Sequence, residues 1–147
     1  MTSTQIILMV TAIVVGVAAI NATVWILIFR AMRRRADRMR EELSASGEKI
    51  ILGPERATYR GSTNGSRVRG LGTAALTDRR LIFRGAFGTP IEIPRSSIAS
   101  VRDEKVFLGG ISAGKSHVVL RLHDGSDVGF YFRDPSAWRT ALAPHAA

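Results

Sequence analysis

Hydrophobic and polar positions change their period several times along the chain. Positions 6–29, IILMVTAIVVGVAAINATVWILIF, carry no charge, and only Thr11, Gly16, Asn21 and Thr23 interrupt the apolar run. As a helix this stretch spans about 36 Å, enough to cross a hydrocarbon core of about 30 Å with some tilt. It predicts a transmembrane helix after a short external N-terminus, residues 1–5. Residues 30–43, RAMRRRADRMREEL, lack Gly and Pro and suit a helix that continues out of the membrane, its charges forming a solvated face. Ser44-Ala45-Ser46-Gly47 breaks that pattern. An Arg-rich juxtamembrane helix and linker therefore occupy 30–46, a soluble domain 47–143 and a tail 144–147.

From Glu48 onward, short strands alternate with turn residues. Lys49–Leu52 is a brief apolar run ended by Gly53-Pro54, and Arg56–Arg60 follows before the loop GSTNGS at 61–66. Ala74–Thr77 and Arg80–Arg84 flank a tight connection at Asp78-Arg79. Pro90–Ile93 leads into a single helical turn at Pro94-Arg95-Ser96-Ser97, and Ile98–Leu108 reads as one strand. Val118, Leu120 and Leu122 alternate with Val119, Arg121 and His123, as Val128, Phe130 and Phe132 do with Gly129, Tyr131 and Arg133, and Asp124-Gly125 between them is a hairpin signal. Six or seven strands with turns at this spacing predict an antiparallel sandwich or barrel. The period then returns to that of a helix. Asp134 suits an N-cap, Pro135 the first helical position, and Trp138, Ala141 and Leu142 fall on one face. A short amphipathic helix closing one end of the barrel, with Trp138 as its plug, follows.

Charge adds orientation. Net charge is +9, of which residues 30–43 contribute +3, six Arg against Asp37, Glu41 and Glu42. The leader MTSTQ has no Lys or Arg, and the apolar run is longer than a usual signal-peptide core, which argues against a cleaved leader. The positive-inside rule places the N-terminus outside and everything after Arg30 in the cytoplasm, at the plasma (inner) membrane. Trp25 lies where an inner aromatic anchor is expected. Ala12-xxx-Gly16 and Ala18-xxx-Ala22 permit close packing against another helix. The soluble part is itself basic, and such charge is drawn to an anionic leaflet, each near-surface cation adding about 1 kcal/mol. Nucleic acid attracts the same charge, but no aromatic-rich basic strand suited to stacking bases is present. The chain has no cysteine, so disulfides and thiolate metal sites are excluded.

Two features invite a catalytic reading. Gly109-Gly110-Ile111-Ser112-Ala113-Gly114-Lys115-Ser116 spells the phosphate-loop pattern GxxxxGK[ST]. A working loop opens a helix whose N-terminus supplies donors to the phosphates. Here the following HVVLRLHDG alternates with period two and predicts a strand, so no nucleotide is expected. His117 and His123 lie about 20 Å apart along one strand, too far to act together. His123 with Asp124 and Asp127 imitates a metal site, yet Asp in such a stretch more commonly forms the turn. No enzyme activity, metal or cofactor is expected.

Leu76-Thr77-Asp78-Arg79-Arg80-Leu81-Ile82-Phe83-Arg84, followed by Ile91-Glu92-Ile93-Pro94 and Ser97-Ile98-Ala99-Ser100-Val101, resembles the GRAM and bacterial pleckstrin-homology-like (PH-like) families. These show an "LT-turn-RLIF" hairpin, an "I-x-I-P" strand exit and an "I-x-x-V" return. The likeness covers residues 47–143, including the Asp-Pro-x-x-Trp helix start. It is greatest to small membrane-anchored PH-like proteins of actinobacterial type, and the excess of Arg (18) over Lys (3) agrees. The resemblance implies a transmembrane helix followed by a PH-like barrel of about seven antiparallel strands and a capping C-terminal helix. It implies a non-enzymatic module that recognises a protein or an anionic phospholipid at the inner leaflet. Clustered arginines near the first strand pair, Arg56, Arg60, Arg67 and Arg69, are then candidate headgroup contacts, together with the juxtamembrane Arg30, Arg33, Arg34 and Arg35. The alternative is an accessory or regulatory subunit of a membrane transport or envelope complex, engaged mainly through its transmembrane helix.

Overall fold

The long N-terminal helix α1 runs from Ser3 to Ala45. The computed structural model describes residues 2–65, 69–111 and 114–144, and the chain divides into two units, Met1–Arg35 and Ala36–Ala147. In the first unit the large apolar side chains between Ile6 and Phe29 are exposed, and the helix is long and apolar enough to cross a membrane. Its polar interruptions are satisfied internally. Thr11 Oγ1, Asn21 Nδ2 and Thr23 Oγ1 donate to the carbonyls of Ile7, Val17 and Ala19 at 2.8, 3.0 and 2.8 Å. Each of these groups thus donates to a carbonyl four residues back, which lowers the cost of placing it in an apolar surround.

The second unit contains β1 (Ile50–Ser62), β2 (Gly70–Thr77), β3 (Arg80–Gly85) and β4 (Ile91–Pro94), then a 3-10 turn at Arg95–Ser97. It continues with β5 (Ile98–Glu104), β6 (Val106–Phe107), β7 (Gly110–Ile111), β8 (His117–Leu122), β9 (Asp127–Phe132) and helix α2 (Pro135–Leu142). Seven strands form one antiparallel sheet in the order β4-β3-β2-β1-β9-β8-β5, and β6 and β7 form a separate hairpin. The two edges, β4 and β5, do not pair with each other, so the curled sheet is a half-barrel. The fold is thus the one expected: an apolar N-terminal helix, seven antiparallel strands and a short C-terminal helix.

Period-two patterning builds the core. Alternate residues of each strand point inward, among them Tyr59, Leu76, Leu81, Phe83, Leu120 and Phe130, all buried. Trp138 closes one end. Its ring stacks on Phe132 with centroids 4.0 Å apart and planes within 2°, and its Nε1 donates to Glu55 Oε1 at 2.5 Å. The indole therefore buries its area while its single donor is partnered. Asp134 Oδ1 accepts from Ala137 N at 3.2 Å, the expected N-cap. Asp124 Oδ1 accepts from the Ser126 amide at 2.8 Å and fixes the β8–β9 turn.

Three details differ from the sequence reading. Gly53-Pro54 does not end a strand; β1 passes through it, with register shifts against β2 on both sides. Gly53 sits at φ +78°, and a Cβ there would lie 2.5 Å from the Ala74 carbonyl oxygen, so only glycine fits. The expected strand Ile98–Leu108 ends at Glu104, because Phe107 folds back over the sheet. Its ring lies where a side chain on Gly129 would be, 2.3 Å from an added Cβ.

The third difference is the domain boundary. Residues 36–45 are not a wholly solvated helix but part of the second unit. Met39 and Leu43 are buried with Ala75 and Ile82, and Ile50 packs against them. These β2 and β3 residues face away from the half-barrel core, so the helix end forms a second layer on the outside of the sheet. Glu42 pairs with Arg84 at 2.5 Å.

Truncating either buried contact, Met39→Ala or Leu43→Ala, is expected to cost about 2–5 kcal/mol, the usual range for buried large-to-alanine changes. Thermal unfolding of the full chain in micelles measures this. Unchanged midpoints in both variants would mean that the helix end does not support the sheet.

Candidate functional site

Two well-paired networks and one loosely satisfied cluster stand out among the charged groups of the second unit. At the junction of α1 and β1, Glu48 is buried and accepts from Thr77 Oγ1 at 2.8 Å and from Arg80 Nη2 and Nε at 2.5 and 3.2 Å. The Arg80 guanidinium, more than the Thr77 hydroxyl, holds the carboxyl below its usual range against the opposing effect of burial. On the outer face of β8–β9, Asp127 accepts from Arg102 Nη2 at 2.9 Å and from Arg121 Nε and Nη2. Arg102 also pairs with Glu104 at 2.5 Å. Hydrogen bonds from Arg102 lead in lowering the Asp127 carboxyl. Both networks tie elements together and leave their carboxylates ionised.

The third cluster lies on the outer face where β1, β9 and β8 adjoin. His117 is fully buried. Its Nδ1 lies 3.2 Å from the Glu104 carbonyl oxygen. A carbonyl only accepts, so Nδ1 carries the proton and Nε2 presents a lone pair. That Nε2 has no partner, and neither does the buried Nε of Arg60. The Arg60 guanidinium sits over Tyr131, 5.9 Å from the ring centroid. Burial pushes the His117 imidazole below its ordinary value, and the nearby Arg60 and Arg69 act in the same direction.

The arginines singled out from sequence are distributed unevenly. Arg30, Arg33, Arg34 and Arg35 are exposed on α1 in the first unit. Arg56 and Arg60 share the outer face of β1, about 13 Å apart along the strand. Arg56 is exposed and Arg60 half-buried. Arg67 lies outside the described residues. Arg69 follows on from the Tyr59–Gly70 pairing of β1 and β2, opposite Arg60. Arg69 Nη2 donates to the Leu108 carbonyl and so ties the β6–β7 hairpin to the start of β2. The structure therefore brings Arg60 and Arg69 together beside His117 and leaves Arg56 apart.

Sequence reading did not reveal one concavity of the surface. A cleft of about 680 Å³ opens between the start of β2 and the β3–β4 loop, with Tyr59, Leu71, Phe83, Phe87 and Ile91 along its walls. Arg69 is the charged residue among its lining. The one sequence signal was the loop Gly85-Ala86-Phe87-Gly88, where an aromatic is flanked by residues with little or no side chain. Phe87 is 95% exposed.

The described part of the GGISAGKS stretch leads into a strand and not a helix. Gly109 turns the hairpin and Gly110-Ile111 form β7, while Ser112 and Ala113 lie outside the described residues. Lys115 Nζ reaches the Arg133 carbonyl at 3.5 Å, and His117 begins a strand instead of a helix. Among the described residues no group of three or more His, Asp or Glu is arranged to hold a metal ion. Asp124 caps a turn and Asp127 pairs with arginines, which accounts for the letters that imitated a metal site.

The class these features define is a half-open antiparallel sheet capped by a helix and joined to an apolar helix of membrane-spanning length. A crystal structure of the C-terminal domain of an unknown protein from Leishmania infantum has a similar fold, with a TM-score of 0.52 and 15% identity. The match covers 72% of this chain and 92% of that one, and at this identity it speaks to fold alone. No protein-family model and no curated protein matches the chain.

The folded-state pKa of His117 lies below its unfolded value, so the unfolded chain binds more protons between the two. Stability contributed by the neutral imidazole is complete above the ordinary value of about 6.5 and declines as pH falls below it toward the folded pKa. Unfolding midpoints across about pH 5–7 should show this slope in the native chain and a flatter one in His117→Phe. Equal slopes in both proteins would remove His117 as its source.

Proposed function

We propose that this chain is a membrane-anchored, non-enzymatic binding module. Its apolar helix spans the plasma membrane with the N-terminus outside, and its PH-like, GRAM-like domain recognises a protein or an anionic lipid at the inner leaflet. The supporting observation is the way side-chain chemistry is distributed in the second unit. Its buried carboxylates are committed to arginine pairs, whereas an open concavity with apolar walls and a cation at its edge remains at the surface. Such a cleft offers recognition, and among the described residues neither a paired acid and base nor an activated nucleophile accompanies it.

The sequence supplies the tether and its direction. Arg30, Arg33, Arg34 and Arg35 follow the apolar run directly and favour the cytoplasmic side. A domain held by a short tether meets a membrane-associated partner at raised effective concentration, so modest intrinsic affinity suffices. A module of this kind works by adhesion: the helix confines it, the arginines add attraction to anionic headgroups, and the domain surface selects the partner.

Rewriting residues 6–29 in another apolar order tests the division of labour. Photocrosslinking in intact membranes, with identification of the neighbours, should recover the same partners from the rewritten chain as from the native one. Loss of those neighbours on rewriting would transfer recognition to the transmembrane helix, as in a subunit of a larger membrane complex.

A further inference from the structure

The cleft between β2 and the β3–β4 loop has a composition that narrows what can occupy it. Its floor is the aromatic part of the core: Tyr59 and Phe83 are both buried, with ring centroids 5.9 Å apart. Leu71, Pro90 and Ile91 add aliphatic walls. At the rim Phe87 leaves nearly its whole ring in solvent, although a large aromatic normally contributes by being covered. Arg69 is the charged group of the wall, and among the described contacts only the Leu108 carbonyl takes one of its five donors. Through that bond the wall adjoins the β6–β7 hairpin, where Val106 and Ile111 are exposed at 53% and 76%. The apolar surface thus continues outward past the cation.

These features exclude several ligand classes by cost. A sugar or nucleotide would bury many hydroxyls and ring nitrogens against Leu, Pro and Phe, with few side-chain partners beyond Thr89 and Arg69. A peptide would bring backbone N–H and C=O groups to the same walls. A free phosphate would find one guanidinium where tight binding needs several convergent donors. An unbranched hydrocarbon chain needs no hydrogen bonds, and a single anionic group at its end matches a single arginine. The volume, about 680 Å³, lies within the usual range for small-ligand sites, about 300–1,000 Å³.

We propose that this cleft binds a single acyl chain bearing an anionic head, with the tail against Tyr59, Phe83 and Ile91, the head at Arg69 and Phe87 folding over the tail. The chain comes either from a free fatty acid or from one tail of an anionic phospholipid drawn partly out of the bilayer; both present the same chemistry to the site. This inference rests on the binding-module reading and names the ligand that the module takes.

The full chain is reconstituted into neutral phosphatidylcholine nanodiscs in two arms. One arm contains palmitic acid with a diazirine near the tail end, the other phosphatidylglycerol with the same group on one acyl chain. After irradiation, labelled residues are mapped by mass spectrometry. Labelling within residues 83–91, in addition to that within 6–29, is expected in at least one arm, and the arm identifies the source. A tenfold excess of unlabelled palmitate or phosphatidylglycerol should reduce the 83–91 signal at least fivefold while leaving 6–29 unchanged. Ala86→Trp, which fills the cleft from an exposed loop position, should have the same effect, and Arg69→Gln should lower labelling severalfold. Labelling confined to 6–29 in both arms overturns the proposal, as does an 83–91 signal that excess unlabelled lipid cannot displace. A protein crosslinked from the cleft in place of lipid also overturns it. The competition arm needs no variant, so a misfolded substitution leaves the test intact. If 83–91 stays unlabelled while the domain still captures neighbours in native membranes, only the acyl-chain proposal falls. If the cleft is labelled while capture follows the order of residues 6–29, the module reading falls instead.

Discussion

On one face of β2, Ala74 and Leu76 join the core of the half-barrel; on the other, Ala75 lies with Met39 and Leu43 of the helix that precedes the sheet. Most of the arrangement of the second unit depends on this two-sided burial. The small Ala75 on the outer face of β2 lets the helix approach closely, and Ile82 of β3 fills the space beside it. This burial also brings the start of β1 under the helix end, where Glu48 would be a buried charge without company. Thr77 and Arg80, from the β2–β3 hairpin, supply the partners. Removing a carboxylate from water is costly, and the cost is offset only where its lone pairs are filled with good geometry. The junction meets that condition, so the ion pair fixes which turn of the helix faces which residue of the hairpin while the apolar contacts provide the stabilisation.

A second departure from simple alternation occurs on the outside of β8 and β9. Val119 and its cross-strand partner Gly129 point away from the core, yet both are buried. The β6–β7 hairpin, which places Phe107 over Gly129, is the cause. Beneath the same layer His117 is held neutral beside Arg60, each with one unpartnered buried nitrogen. Polar groups left in that state weaken a layer, in contrast to the saturated Glu48 and Asp127 networks. Among the described residues, this layer is therefore less completely satisfied than those two networks. It also adjoins the cleft between the start of β2 and the β3–β4 loop.

Much of this was legible from residues alone, and for local reasons. The apolar run at 6–29 needs no tertiary partner to be recognised, because its length and lack of charge are the signal. The N-cap at Asp134, the turn at Asp124-Gly125 and the helical turn at Arg95–Ser97 depend on contacts within a few residues. Trp138 was readable as the plug because it falls on the apolar face of a short helix. What depended on distant residues was not legible. Gly53-Pro54 reads as a break, yet the strand continues, since the Ala74 carbonyl lies where a side chain would have been. Ile98–Leu108 reads as one strand, yet it ends at Glu104, since a glycine more than twenty positions later makes room for Phe107. Met39 and Leu43 look like incidental apolar residues on a charged helix until Ala75 and Ile82 are placed beneath them.

The sequence by itself determined the element types, the inward set of side chains and the helix of membrane-spanning length, because period and composition act locally along the chain. Only the tertiary structure decided where the domain begins, which arginines stand together, and that an apolar cleft with Arg69 at its wall is left open. Those outcomes are set by pairs of residues far apart in the chain, whose approach is governed by strand order, close glycine contacts and the filling of buried lone pairs.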